Sequence, residues 1–370
     1  FDVNPSRLTV SYLGTLLLGK GTSMSPPPTG SAPRVRATIR DVAALAGVGT
    51  KTVSRVINDE ANVSPQTRQR VQRAVLALNF KPNQGAGALR RGDRKTRTLG
   101  LLLDAVDNPF SAAINRAVET VAYGRDTAVL AASSDNDPHR ERSMVDAFSR
   151  RRVDGMILNT ITEDQGYLHV EREQGTPLVF VDRPPTGLLA DAAITNNFEA
   201  AMDATRHLIN HGHRKIAYFG NEPTTSTVRG RQRGFADAMA AAGLSEISRQ
   251  LDGLRTEQQS YTAVDDLMRM DNPPTALFTS HHLVTLGAIR ALHDLRLEQR
   301  IALIGFGDIV MADLLRPAIT VVAPDPARLG TIAAERIFAR LDGDTSPVQT
   351  VVVAAKLIPR GSGEIPPSDR

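Results

Sequence analysis

The sequence predicts a small all-helical unit at residues 37–82 followed by a large α/β body at 98–360, built as two doubly wound lobes of parallel sheet. Three observations point there. The chain has 370 residues, more than one hydrophobic core usually supports. Its charge is divided: residues 34–97 hold 14 Lys and Arg against 4 Asp and Glu, whereas 98–370 hold 28 against 35. A basic module on a mildly acidic body suggests an anionic polymer bound at one end and something different at the other, although a merely solvated basic face would have the same composition. The third observation is periodicity, which is helical before residue 80 and strand-like in short apolar runs beyond 98.

Several classes are excluded at once. The chain has no cysteine, so disulfides, thiolate metal sites and cysteine nucleophiles are absent, and a reducing cytoplasm is the compatible location. No G-x-S-x-G, H-E-x-x-H or phosphate-loop sequence occurs, so the expectation is a binding protein with no cofactor rather than an enzyme. His207, His211 and His213 have an H-x3-H-x-H spacing, but no cysteine accompanies them and the third lies beyond Gly212, so no metal site is expected.

Residues 1–36 contain Pro26-Pro27-Pro28 and many Gly, Ser and Thr, and are expected to be a disordered extension. The apolar stretch Leu13 to Leu18 is too short to span a bilayer and lacks the flanks of a signal peptide. No membrane partner is therefore expected. Met24, just before the proline run, is read as a natural start, with the first 23 residues an addition.

The helical unit follows in order. Thr38 is an N-cap candidate before Ile39, Val42, Ala43, Leu45 and Ala46, an apolar face of helical period, and Asp41 suits the first turn. Gly47 ends that helix, Val48 turns inward, and a second helix begins near Thr50 with Val53, Val56 and Ile57 on its buried side. Thr50, Lys51, Ser54 and Arg55 are left outside, at its N-terminal end. Ser64-Pro65 opens a third helix running to Leu78. Two helices joined by a glycine-bearing turn, with polar and cationic side chains on the second, match a helix-turn-helix that enters the major groove; a hairpin built only for packing shares the same period.

In the body, apolar runs at 98–103, 128–132, 155–158, 177–181, 216–219, 276–278 and 302–305 alternate with amphipathic helices. Continuous apolarity indicates parallel strands covered on both faces, and ligands of such sheets bind beyond the carboxyl ends of the strands. Candidate ligand groups stand at such ends: Asn108 and Phe110 after the first run, Thr227 and Arg231 after Ile216 to Gly220, His281 after the run at 276, and Asp308 after the run at 302. Phe110 offers a face to a sugar or base, or equally to a core.

The runs TIRDVAALAGVGTKTVSRVIN, VSPQTRQRV and LNFKPN resemble the headpiece of the lactose repressor/galactose repressor (LacI/GalR) family of bacterial transcription regulators. The resemblance continues through most of residues 37–360, including DNPF at 107–110, RRVDGMIL at 151–158, HLINHGHRKIAYFG at 207–220 and RGRQRGF at 229–235. It implies a transcriptional repressor whose body is of periplasmic-binding-protein type and whose partners are a pseudo-palindromic double-stranded DNA operator, a small-molecule effector and a second copy of the chain, as a homodimer or a tetramer. By that resemblance Thr50, Lys51 and Arg55 read base edges, while Thr38, Ser54, Asn58, Ser64 and Thr67 fall at or near phosphate contacts. An arginine fork on guanine and hydroxyls on the backbone fit those roles.

The resemblance also assigns 83–97 to a hinge helix and linker, with Asn83 in the DNA-contacting set and Leu89 as an apolar wedge between central base pairs. Gly85 and Gly87 there predict that residues 83–91 are unfolded without DNA. The lobes are expected at about 98–195 plus 322–344 and about 196–321 plus 345–360, with 361–370 a tail. Arg231 matches an arginine that grips effector oxygens. His281-His282 stands where the family often has Asn-Asp, and Gly307-Asp308 where it often has Asp-Asp. This shifts the expected effector from a neutral sugar toward an acidic, sugar-acid-like metabolite. The rival reading, a solute-binding protein of sugar transport, requires a secretory signal and no basic headpiece.

Overall fold

The computed structural model describes residues 37–81, 95–221 and 223–368, and the chain divides into two compact units at Asn83/Gln84.

In the first unit α1 (Ile39–Ala46), α2 (Thr50–Ile57) and α3 (Pro65–Ala77) enclose Val42, Ala43, Ala46, Val53, Val56, Val71 and Ala74. Thr38 caps α1 in a reciprocal box with Asp41, and Gly47 ends it in the left-handed region at φ 64°. Leu45, expected on the inner face, is 56% exposed. The three inward residues of α1 centre on a direction midway between Val42 and Ala43, and Leu45 lies about 110° around the helix from it. Ser64 caps α3, with Pro65 in its first turn.

The second unit holds two six-stranded sheets. Its elements run β1 (Thr98–Leu103), α4 (Pro109–Tyr123), β2 (Ala128–Ser133), α5 (Pro138–Arg150), β3 (Gly155–Leu158), α6 (His169–Glu173), β4 (Leu178–Asp182) and β5 (Asp191–Thr195). They continue with α7 (Asn197–Asn210), β6 (Ile216–Phe219), α8 (Ser226–Ala241), β7 (Arg249–Leu251), α9 (Glu257–Met268), β8 (Ala276–Thr279), α10 (His282–Asp294) and β9 (Ala302–Phe306). The chain closes with β10 (Thr320–Ala323), α11 (Pro326–Leu341), β11 (Thr350–Val353) and β12 (Lys356–Ile358). Sheet order is β11-β5-β4-β3-β1-β2 in the first lobe and β12-β10-β9-β8-β6-β7 in the second. All pairings are parallel except β10 with β12.

Both faces of each sheet are covered, which is why the strands read as unbroken apolar runs. Leu99, Leu101 and Leu103 of β1 pack with α4 and α11, while Leu102 faces Val145 and Phe148 of α5. In the second lobe Tyr218 and Phe278 meet α7 and α8, whereas Phe219 and Leu277 meet α9 and α10. Two glycines allow the helices over the second sheet to touch. A Cβ on Gly234 would stand 2.2 Å from the Phe198 carbonyl oxygen, and one on Gly287 would stand 2.2 Å from that of Glu257.

The chain crosses between lobes after β5, after β10 and after β11. Two expected boundaries are thereby corrected. Val322 and Ala323 pair with β9 and β12 in the second sheet, so the second crossing follows them. Thr350–Val353 pairs with β5, so this stretch belongs to the first lobe and not the second. Nor is 361–368 a free tail. Ser362 and Gly363 are buried, and the Ser362 hydroxyl donates to Leu303 O at 2.5 Å and accepts from Thr320 N at 2.9 Å.

Candidate functional site

Two sites emerge, one in each unit. In the first, α2 starts at Gly49, which supplies no capping side chain. Thr50 and Lys51 stand exposed in the first turn, with Ser54 and Arg55 half-buried one turn on. Val53 and Val56 face the core, so the helical period itself turns the four polar residues outward. Arg55 Nε lies 3.7 Å from Glu60 Oε2, an exposed pair that leaves the guanidinium available. Asn58 caps the end of α2 and its amide lies 3.5 Å from Ser54 Oγ. Thr38 and Ser64 are both N-caps, and Thr67 accepts from Ser64 Oγ at 2.9 Å. These three therefore hold helix ends, whose free N–H groups and dipole favour a phosphate nearby. Asn83 and Leu89, with Gly85 and Gly87, lie outside the described residues.

The second site lies where carboxyl ends of strands from both lobes meet. Asp104 follows β1, Ser134 follows β2, Asn159 and Thr160 follow β3, and Asp182 and Arg183 end β4. From the second lobe come Arg231 of α8, then Ser280 and His281 after β8. The lobes touch through an ion pair of Arg229 with Glu163 at 3.0 Å. They also interact through the charges that Asp182 and Arg183 exert on Arg231, and Asp107 on His282.

Arg231 is held in place by neutral groups. Its Nε donates to Asn197 Oδ1 and its Nη1 to Ser280 O, both at 2.7 Å, and its guanidinium lies 3.8 Å from the centre of the Phe306 ring. Burial pushes it down to about 10, against the opposing pull of Asp182. Arg183 is 3.9 Å from both Asp104 and Asp182, and its Nη1 donates to Thr160 O at 3.1 Å. Burial raises both carboxyl groups, and the Arg183 charge works against it. Burial first, then the charges of His282, Arg231 and Arg183, push His281 down to about 3, so its imidazole is neutral.

The crevice is marked by buried polar atoms without hydrogen-bond partners: Asp104 Oδ1, Asn159 Oδ1, Thr160 Oγ1, Asp182 Oδ1 and Arg183 Nε on one side, Ser280 Oγ and His281 Nδ1 on the other. Buried polar atoms are nearly always paired in native proteins, so such a concentration calls for partners from outside the chain, which makes it the candidate ligand site.

Of the effector residues expected from sequence, Arg231 and His281 are brought together here. Asn108 caps α4, accepting from Phe110 N at 3.0 Å, and Phe110 packs partly against the first-lobe core. Thr227 is buried with its hydroxyl 3.1 Å from that of Thr225. Asp308 is exposed, and both its oxygens are held at 2.7 Å by Arg360. Sequence reasoning missed Asp104, Asn159, Thr160, Asp182, Arg183 and Ser280. The available signal was a polar residue directly after an apolar run, as in LLLD, MILNT, VFVDR and FTS. It also missed that the crevice acids come from the first lobe. The discounted histidines have structural partners: His213 bonds Thr275 at 2.9 Å and Ile365 O at 2.8 Å, and His207 lies 2.5 Å from Glu364.

The family profile described as "Bacterial regulatory proteins, lacI family" matches residues 38–83, and that described as "Periplasmic binding protein-like domain" matches 205–363. The HTH-type transcriptional repressor PurR of Mannheimia succiniciproducens is 30% identical over 330 residues, covering 88% of this chain and 98% of that protein. PurR of Haemophilus influenzae is 31% identical over 317 residues, covering 85% and 94%. Among solved structures, the Lac repressor dimer bound to operator and an anti-inducer shares the fold with a TM-score of 0.78 at 23% identity, over 89% of this chain and 99% of that one. A complex of the transcriptional regulator CelR with cellobiose aligns with a TM-score of 0.64 at 28% identity, over 88% and 100%. With a helix-turn-helix unit and a two-lobed body matched along nearly their whole length, the chain belongs to the lacI family of bacterial regulatory proteins, DNA-binding transcription regulators with an effector-binding domain.

Proposed function

We propose that the chain represses transcription in the cytoplasm as a homodimer on a pseudo-palindromic operator, and that a small hydroxylated metabolite between the lobes controls its operator affinity without being turned over. Thr50, Lys51 and Arg55 read base edges in the major groove, and Thr38, Ser54, Asn58, Ser64 and Thr67 position the phosphates. A two-fold dimer would present two such helices to two half-sites, which is the reason to expect operator symmetry. The observation that carries the effector reading is the group of unpaired buried polar atoms where the strand ends of both lobes meet. Hydroxyls of a sugar or sugar acid both donate and accept, and so can satisfy a mixed set of this kind. The basic helical unit argues against a role in transport alone.

The test is selection of bound sequences from random double-stranded DNA by the full chain. A symmetric consensus whose half-site preference changes with Arg55→Ala supports the reading. Recovery of unenriched DNA rules it out.

A further inference from the structure

The two walls of the crevice have opposite hydrogen-bonding character. On the first lobe the unpaired atoms are mainly acceptors, Asp104 Oδ1, Asn159 Oδ1 and Asp182 Oδ1, with the Thr160 hydroxyl beside them; the one charged donor there, Arg183 Nε, belongs to a guanidinium 3.9 Å from both carboxylates. On the second lobe they are groups able to donate: Ser280 Oγ, beside the Tyr218 hydroxyl, and His281 Nδ1. Arg231 adds to that donor wall. Both of its hydrogen bonds go to neutral oxygens, and among the described residues no carboxylate lies within ion-pair distance of it. The Phe306 ring beneath it fixes the guanidinium plane, so a planar acceptor approaching edge-on meets a prepared fork.

Resting on the effector reading above, we propose that the ligand is a polyhydroxylated carboxylate such as a sugar acid. Its carboxylate lies on the second lobe against Arg231, His281 and Ser280, and its hydroxyls lie on the first lobe against Asp104, Asn159 and Asp182. Electrostatics sets this direction. A carboxylate turned the other way would face two acids, Asp104 and Asp182, against the single guanidinium of Arg183 that they already share, whereas a neutral sugar would leave the donor wall without an anion. His281 takes part as a neutral N–H donor, because burial and the neighbouring charges of His282, Arg231 and Arg183 oppose its protonation. An acidic side chain at that position would repel the carboxylate.

The experiment is calorimetric titration of the full chain with galacturonate, glucuronate and gluconate, each against its neutral parent, galactose or glucose. At least one acid should bind about tenfold or more tighter than its parent, the increment expected of a buried charged hydrogen bond. His281→Asp should abolish that preference, and Asp182→Asn should weaken the acid by disturbing its hydroxyl end. Binding of no acid, or equal binding of acid and parent, overturns the carboxylate assignment. Should a neutral parent bind equally and be weakened by Asp182→Asn, the crevice remains the ligand site and only the carboxylate falls. Should a ligand bind with an affinity that neither variant changes, the crevice reading itself fails.

Discussion

Arg231 Nε stands 2.7 Å from Asn197 Oδ1, and Asn197 is the first residue of α7, directly after the first crossing between the lobes. The preceding residue, Asn196, accepts from Ala355 N at 2.8 Å, which ties that crossing to the third. The side chain facing the crevice is thus bonded to one of the three connections that any change of lobe angle would involve. A ligand that pulls on Arg231 acts on that connection through one hydrogen bond.

Asn197→Ala leaves Arg231 with the Ser280 carbonyl as its one hydrogen-bond acceptor among the described residues. A hydrogen bond to a charged group contributes about 1.5–3 kcal/mol. Effector affinity measured by calorimetry should therefore fall roughly tenfold or more, while near-ultraviolet circular dichroism of the body stays native. Unaltered affinity would show that Ser280 and Phe306 suffice to orient the guanidinium.

Arg55→Ala tests the other unit. Base readout and phosphate attraction separate, so the variant should lose about 1–3 kcal/mol on the selected operator and little on random DNA at the same salt. Glu60→Gln should change either by less than about 1 kcal/mol, as befits an exposed pair. Equal losses on both DNAs for Arg55→Ala would make that residue a phosphate contact.

Much of this was legible in the sequence because it depends on local chemistry. The AGVGTK turn, the Thr38 and Ser64 caps and the apolar β runs each specify their own element. What the sequence concealed is set by tertiary partners. The edge strand Arg249–Leu251 has no apolar run, and Asp191–Thr195 is alanine-rich, so neither announced itself. Leu45 was misplaced because an eight-residue helix samples too few turns to define its buried stripe. Asp182 and Arg183 look like an ordinary strand end until the second lobe sets Arg231 near them.

Gly287 offers a stability test far from both sites. A Cβ there would lie 2.2 Å from the Glu257 carbonyl oxygen and 2.6 Å from Ser260 Cβ, so α9 and α10 must separate. Gly287→Ala should lower unfolding free energy by about 1–3 kcal/mol in urea, despite alanine's better helix propensity. A neutral or stabilising result would mean that the helices shift apart freely.

The depressed His281 predicts a pH dependence of known sign. Its ordinary value is 6.5 and its folded value about 3, so between these the unfolded chain holds a proton that the folded chain excludes. Stability from this group is complete above about 6.5 and is lost as pH falls, by up to about 1.4 kcal/mol per pH unit. His282 and His213, also lowered by burial, add to the same trend. His281→Asn should flatten the stability profile between about pH 6.5 and 5, and a profile identical to that of the parent chain would show that the imidazole is solvated.

The central claim is that a crevice ligand controls DNA binding through a site separate from the DNA-reading face. The most direct measurement is operator affinity of the full chain at fixed salt, titrated with a ligand that binds the body, for the parent chain and for Arg231→Met. The account predicts equal affinities without ligand, a shift of about fivefold or more in the parent chain, and no shift in the variant. An operator affinity that the ligand leaves unmoved in the parent chain, or moves equally in Arg231→Met, would contradict it.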